Sequence, residues 1–216
     1  GATIGDSLSA EPRQIPPVPT PSFTCQCGLT NQSARIYNGL QANPGEFPWQ
    51  AWIQKKFDTV WEVACGAVII SNYYLLTAEH CFQKKLCSSY RIVAGVTDLS
   101  LPAKQQMVIR VVLYPRTHVM YSDDIALIKV MLPFKFGDMY PICLPPIGTT
   151  ESFAGRNMTI SGWGQINAAG KYPTGLRKAV VMGMNNTNCK KLMEPHPITP
   201  AMLCARGKSE PCTGDS

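Results

Sequence analysis

From Ile36 onward the chain is a succession of short apolar runs broken by turn residues, and that texture restricts its architecture more than any single motif does. "WQAWI" (49–53), "VACGAVII" (63–70), "YLLTA" (74–78), "YRIVAGV" (90–96), "QMVIRVVLY" (106–114), "IALIKVM" (125–131), "MTISGW" (158–163), "LRKAVVMGM" (176–184) and "AMLCA" (201–205) are rich in Val, Ile, Tyr and Trp, with Gly, Pro and Asn between them. β-Branched and aromatic side chains fit a pleated, half-buried surface, whereas Gly, Pro and Asn fit turns. The spacing predicts an all-β barrel or sandwich. One stretch departs from it: "NTNCKKLME" (186–194) reads as a short helix behind an Asn or Thr cap.

Residues 11–22, "EPRQIPPVPTPS", have another character. Five prolines in twelve residues sustain neither helix nor ladder, so this segment reads as a stiff, exposed linker. At 216 residues, with 45% hydrophobic and 16% charged side chains, the chain is globular rather than disordered. No uncharged apolar run reaches the roughly 18 residues needed to span a bilayer. The net charge of +6 comes from scattered pairs such as Lys55-Lys56, Lys84-Lys85 and Lys190-Lys191, which describes a solvated surface and not a nucleic-acid footprint.

Nine cysteines suggest an oxidising compartment; with three histidines and no paired CxxC motifs, a zinc cluster is a poor rival. Sequons at Asn31, Asn157 and Asn185 agree with secretion. There is neither an initiator methionine nor a signal peptide, so the chain is expected to be a piece of a longer precursor.

Three residues carry potential chemistry. "LTAEHC" (76–81) sets His80 at the end of an apolar run, and "SDDIALIKV" (122–130) sets Asp124 at the mouth of another. Alone, each has a plain reading as a packed histidine and a turn acid. "GDS" (214–216) alone is an ordinary loop. Together they occur in the order His80, Asp124, Ser216, with "ARIYNG", "FPWQAWI", "PICLPP" and "SGWG" at fitting intervals. This constellation resembles the trypsin/chymotrypsin-like serine proteases, a family that supplies the standard worked case of the Ser-His-Asp triad. The resemblance covers residues 35–216.

It implies two antiparallel β-barrels and a peptide-hydrolysing site. A serine hydroxyl is a poor nucleophile until a base takes its proton, and imidazole titrates near working pH. By resemblance His80 is that base, Asp124 holds its tautomer, and Gly214 and Ser216 supply the oxyanion-hole N–H donors. "SARIYNG" resembles an activation site cleaved between Arg35 and Ile36, although Tyr37 and Asn38 depart mildly from the commonest motif. The freed Ile36 ammonium would then pair with Asp215. Removing one partner of such a buried pair strands a charge at about 3–5 kcal/mol, which suits a switch.

The cysteines fit the same resemblance. Cys65–Cys81 matches the bridge bracing the histidine's loop, and Cys189–Cys204 matches a second; each closes a loop worth about 3 kcal/mol in the chain-entropy account. Cys143 is expected to tether the pro-segment through Cys27. Cys25 and Cys87 remain, and nothing compels them to pair. Cys212 lacks its family partner, Met158 stands where the family often has cysteine, and no Gly-Gly-Pro follows Ser216. The sequence is therefore expected to be incomplete at Ser216, with an unfinished second barrel and a fragment too short for efficient hydrolysis.

The resemblance assigns residues 1–35 to a tethered pro-segment and 36–216 to the protease domain. Glu210 occupies the base of the primary pocket, where trypsin-like members carry aspartate. It predicts cleavage after basic residues, or, if the protein itself neutralises Glu210, after apolar ones. Expected partners are protein or peptide substrates, an activating protease and protein inhibitors, with no cofactor, metal, nucleic acid or membrane, in an extracellular setting. The alternative is a protease-like binding or cofactor module without catalysis, a class that usually lacks a triad residue.

Overall fold

The computed structural model describes residues 26–30, 40–82, 86–114, 122–137, 139–149, 151–165 and 172–207. Six antiparallel strands close a barrel: β2 (Gln50–Phe57), β3 (Val60–Ile69), β4 (Tyr74–Thr77), β5 (Tyr90–Ala94), β6 (Lys104–Leu113) and β7 (Ala126–Val130), in the order β2-β3-β4-β7-β6-β5. β1 (Leu40–Gln41), which precedes them, belongs to a second sheet. Alternation supplies the barrel core. Ala51 and Ile53 of β2, Ile92 and Ala94 of β5, and Ile128 and Val130 of β7 point inward with Leu75, Tyr90 and Phe134. Closure leaves the barrel no unpaired edge.

The hairpin joining β2 to β3 runs further than the apolar run suggests, through Lys55, Lys56 and Phe57. Lys56 pairs with Trp61 and Lys55 with Glu62. Asp58 turns it with a positive φ of 49°, a region that Asp visits more readily than most residues. Register shifts after Ile53 in β2 and after Val108 in β6 bend both strands.

In the second sheet β9 (Arg177–Met184) is central. β8 (Asn157–Gly162) runs along one side of it; β1, at Arg177 and Lys178, and β10 (Cys204–Arg206), at Met182 to Met184, share the other. The resemblance implies two barrels with the second unfinished; the described residues form one closed barrel and this four-stranded sheet. Gly183 of β9 admits no side chain, because a Cβ there would lie 2.0 Å from the Phe153 carbonyl oxygen. The expected helix is α1 (Asn186–Met193). Asn185 caps it by accepting the Asn188 N–H at 2.8 Å, and the Cys189–Cys204 disulfide fastens it to β10. Among the described residues no helix is long and apolar enough to cross a membrane.

Barrel and sheet are tied together along the segment that leaves β1. Trp52 and Trp163 meet edge to face at 4.9 Å, in a cluster with Ala42, Val93 and Leu176. The Leu176 N–H donates to the Thr97 carbonyl at 2.7 Å, and Ser161 Oγ donates to Gln50 Oε1 at 2.9 Å. Lys178 of β9 forms a buried ion pair with Glu46, whose other oxygen accepts the Asn43 N–H at 2.9 Å.

Candidate active site

His80 lies in a single 3-10 turn, Glu79–Cys81, immediately after β4. Its position is over-determined by its neighbours. Cys81 is bonded to Cys65 of β3, both buried, and Thr77 Oγ1 donates to the Gly66 carbonyl at 2.7 Å. Phe82, just past the turn, packs edge to face on Tyr90 at 4.8 Å.

Asp124 reaches the same place from the start of β7. The residue before it, Asp123, has φ 55°, and the Ile125 N–H returns to the Asp123 carbonyl at 2.9 Å. That turn aims Asp124 away from the strand's own ladder. Ser122 steadies the approach: its hydroxyl donates to Asp123 Oδ2 and contacts Thr199 Oγ1, both at 2.9 Å.

The two side chains meet. His80 Nδ1 lies 2.5 Å from Asp124 Oδ2, and the His80 backbone N–H donates to Asp124 Oδ1 at 2.8 Å. One carboxylate therefore holds both the ring and the backbone that carries it. The His80 side chain is 36% exposed and that of Asp124 15% exposed, so the ring sits at the surface while its anchor is sheltered. With Nδ1 committed to a carboxylate, Nε2 becomes the nitrogen suited to exchange protons with a substrate. Sequence reasoning placed neither the second hydrogen bond, to the His80 backbone, nor the Ser122–Thr199 support.

His80 also lies close to two sulfurs, an arrangement of metal-ligand type. Those sulfurs belong to the Cys65–Cys81 disulfide, and bonded sulfurs are not the thiolates a metal requires. The donor set does not fit a metal centre.

All three expected bridges are present: Cys27–Cys143, Cys65–Cys81 and Cys189–Cys204. Arg35, Ile36, Glu210, Gly214, Asp215 and Ser216 lie outside the described residues, as do Cys25 and Cys212. Cys87 is half-buried in the short turn before β5.

A sequence model of the family described as Trypsin matches residues 36–216. Over 210 residues the chain is 32% identical to serine proteinase stubble of Drosophila melanogaster, covering 88% of this chain and 26% of that protein. Venom serine protease 34 of Apis mellifera is 32% identical over 206 residues, covering 90% of this chain and 50% of that one. The chain thus spans half or less of the length of these curated relatives. Among solved structures it is similar to neuropsin, a serine protease expressed in the limbic system of mouse brain. The TM-score is 0.70 at 27% identity, over 82% of this chain and 78% of that one.

Proposed function

The chain belongs to the trypsin family of serine proteases, and we propose that it is the catalytic portion of a secreted endopeptidase made as a zymogen. The observation that supports this best is the double grip of Asp124 on the His80 ring and backbone. A merely structural histidine does not need its Nδ1 fixed beside a sheltered carboxylate while the ring remains at the surface.

In this reading Ser216 Oγ adds to the scissile carbonyl carbon and its proton passes to His80 Nε2. The Gly214 and Ser216 N–H groups stabilise the oxyanion, each donor worth about 10²–10³ in rate. The adduct collapses, the C–N bond breaks, and the same proton goes from Nε2 to the leaving amine. Water then enters, gives its proton to Nε2 and adds to the acyl carbon; collapse returns that proton to Ser216 Oγ and frees the acid. Asp124 stabilises the imidazolium in both halves and keeps its own charge.

Cleavage after Arg35 by an activating protease frees the Ile36 ammonium to pair with Asp215, ordering the oxyanion loop. Residues 1–35 are the pro-segment, and the Cys27–Cys143 bond keeps them attached afterwards. The protease domain is 36–216, and β1 with β8 to β10 forms part of its second barrel. Glu210 at the pocket base favours substrates with Arg or Lys before the cut. The sequons and paired cysteines agree with an extracellular glycoprotein, and protein inhibitors are its expected regulators.

The test is phosphonylation of the full-length protein, cleaved after Arg35, by a serine-directed reagent. Labelling that disappears in Ser216→Ala supports the endopeptidase. A cleaved, folded protein that stays unlabelled makes the domain a binding module. Chromogenic substrates ending in Arg, Lys, Phe or Leu then read the pocket, and a hundredfold preference for Phe or Leu would end the basic-pocket assignment.

A further inference from the structure

The barrel strands carry an unbalanced charge. β2 to β7 contain six Lys and Arg side chains, Lys55, Lys56, Arg91, Lys104, Arg110 and Lys129, against a single carboxylate, Glu62. The surplus concentrates on the outer face of β4 to β7. Leu75, Ile128 and Val130 point into the core and Val111 packs against it, so Tyr74, Lys129 and Arg110 stand in one row outside. Arg110 and Lys129 are direct cross-strand partners. Like charges opposite each other in a ladder destabilise it, and among the described residues no carboxylate pairs with either.

Two of the cations on this face, Lys129 and Arg91, are seated. Lys129 Nζ lies over the Tyr74 ring at 5.8 Å. On the neighbouring strand, Arg91 lies over Trp61 at 4.4 Å and donates to Gln54 Oε1 and Gln105 Oε1, each at 2.7 Å. Ring seats and amide clamps reduce the side-chain freedom that binding an anion must remove. Apolar side chains are interleaved with them: Met107, opposite Arg91, Ile109 at the β6 bulge and Met131 are all exposed.

We propose that this outer face, centred on Arg110 and Lys129, docks a polypeptide segment in which Asp or Glu alternates with apolar side chains. Carboxylates meet Arg110, Lys129 and Arg91 while the apolar residues cover Met107, Ile109 and Met131. A sulfated polysaccharide would match the charge and leave those three uncovered, so the apolar component favours a protein partner. His80 and Asp124 lie in the turns after β4 and before β7, not on the outer face of the strands themselves, and the assay reads binding alone. Its outcome is therefore independent of the endopeptidase reading.

The experiment uses the full chain and a short fluorescein-labelled peptide of alternating Glu and Leu, with a Lys-for-Glu peptide as control. Wild type is expected to bind the acidic peptide and not the basic one, and to release it as salt rises from about 0.05 to 0.5 M. The variant Arg110→Gln/Lys129→Gln should bind on the order of tenfold more weakly. Its melting temperature should be unchanged or slightly higher, because the like-charge pair is gone. Arg110→Glu/Lys129→Glu should bind the basic peptide instead. Equal affinity of wild type and the Gln variant overturns the proposal, as does capture of heparin or DNA without capture of the acidic peptide.

Discussion

His80 with Asp124 and Lys178 with Glu46 both pair a basic nitrogen with a carboxylate across distant sequence, built for opposite ends. The first joins the turn after β4 to the turn before β7 and leaves His80 36% exposed. The second joins the β1–β2 segment to the second sheet, with side chains 4% and 1% exposed. A pair open to solvent can exchange a proton and has little folding energy to lose. A pair sealed from solvent gains little over a well-packed apolar pair, yet losing one member strands a charge. The contrast teaches that exposure, rather than pairing, separates a chemical device from a structural one here.

The comparison can be broken in graded steps. On cleaved full-length protein, His80→Ala should lower kcat/KM by about 10⁶ while leaving the urea midpoint nearly in place. A large loss of stability would make that pair structural as well. Lys178→Met should do the reverse, destabilising by about 3–5 kcal/mol and lowering Tm on the order of 10 °C, with turnover at low temperature retained. Glu46→Leu/Lys178→Met should recover much of that loss, landing within about 2 kcal/mol of wild type, since no charge is stranded and only the Asn43 contact is missing. The smallest change belongs to Glu151 and Arg156, an ion pair with side chains 45% and 61% exposed. Glu151→Gln should shift the urea-derived stability by less than about 1 kcal/mol. If it matches Lys178→Met, exposure is not what separates these pairs.

Much of this was legible beforehand, for identifiable reasons. Every apolar run from "WQAWI" to "AMLCA" overlaps a strand, because strand burial in a barrel imprints alternation on local sequence. The helix at 186–193 was legible from its asparagine cap. β1 was not: two residues, both exposed, carry no periodicity and pair with β9 only because the fold brings it there. The outer half of the β2–β3 hairpin was missed because Lys55 and Lys56 read as solvated surface and Glu62 lies outside the apolar runs, although ladder bonds are indifferent to side-chain polarity. His80 and Asp124 stood out only as part of a family pattern. Lys178 sat unnoticed inside a strand-like run, since nothing local announces a carboxylate 132 residues away.

That last separation sets an order of events during synthesis. All six barrel strands are complete once Val130 has been made, and Cys143, the partner of Cys27, follows soon after. Glu46 and β1 must wait for Lys178. At about 5–20 residues per second the interval from Val130 to Lys178 is roughly 2–10 seconds. Through it, the nascent barrel carries an acid whose counterion the ribosome has yet to deliver. The second sheet then closes over a partner already in place.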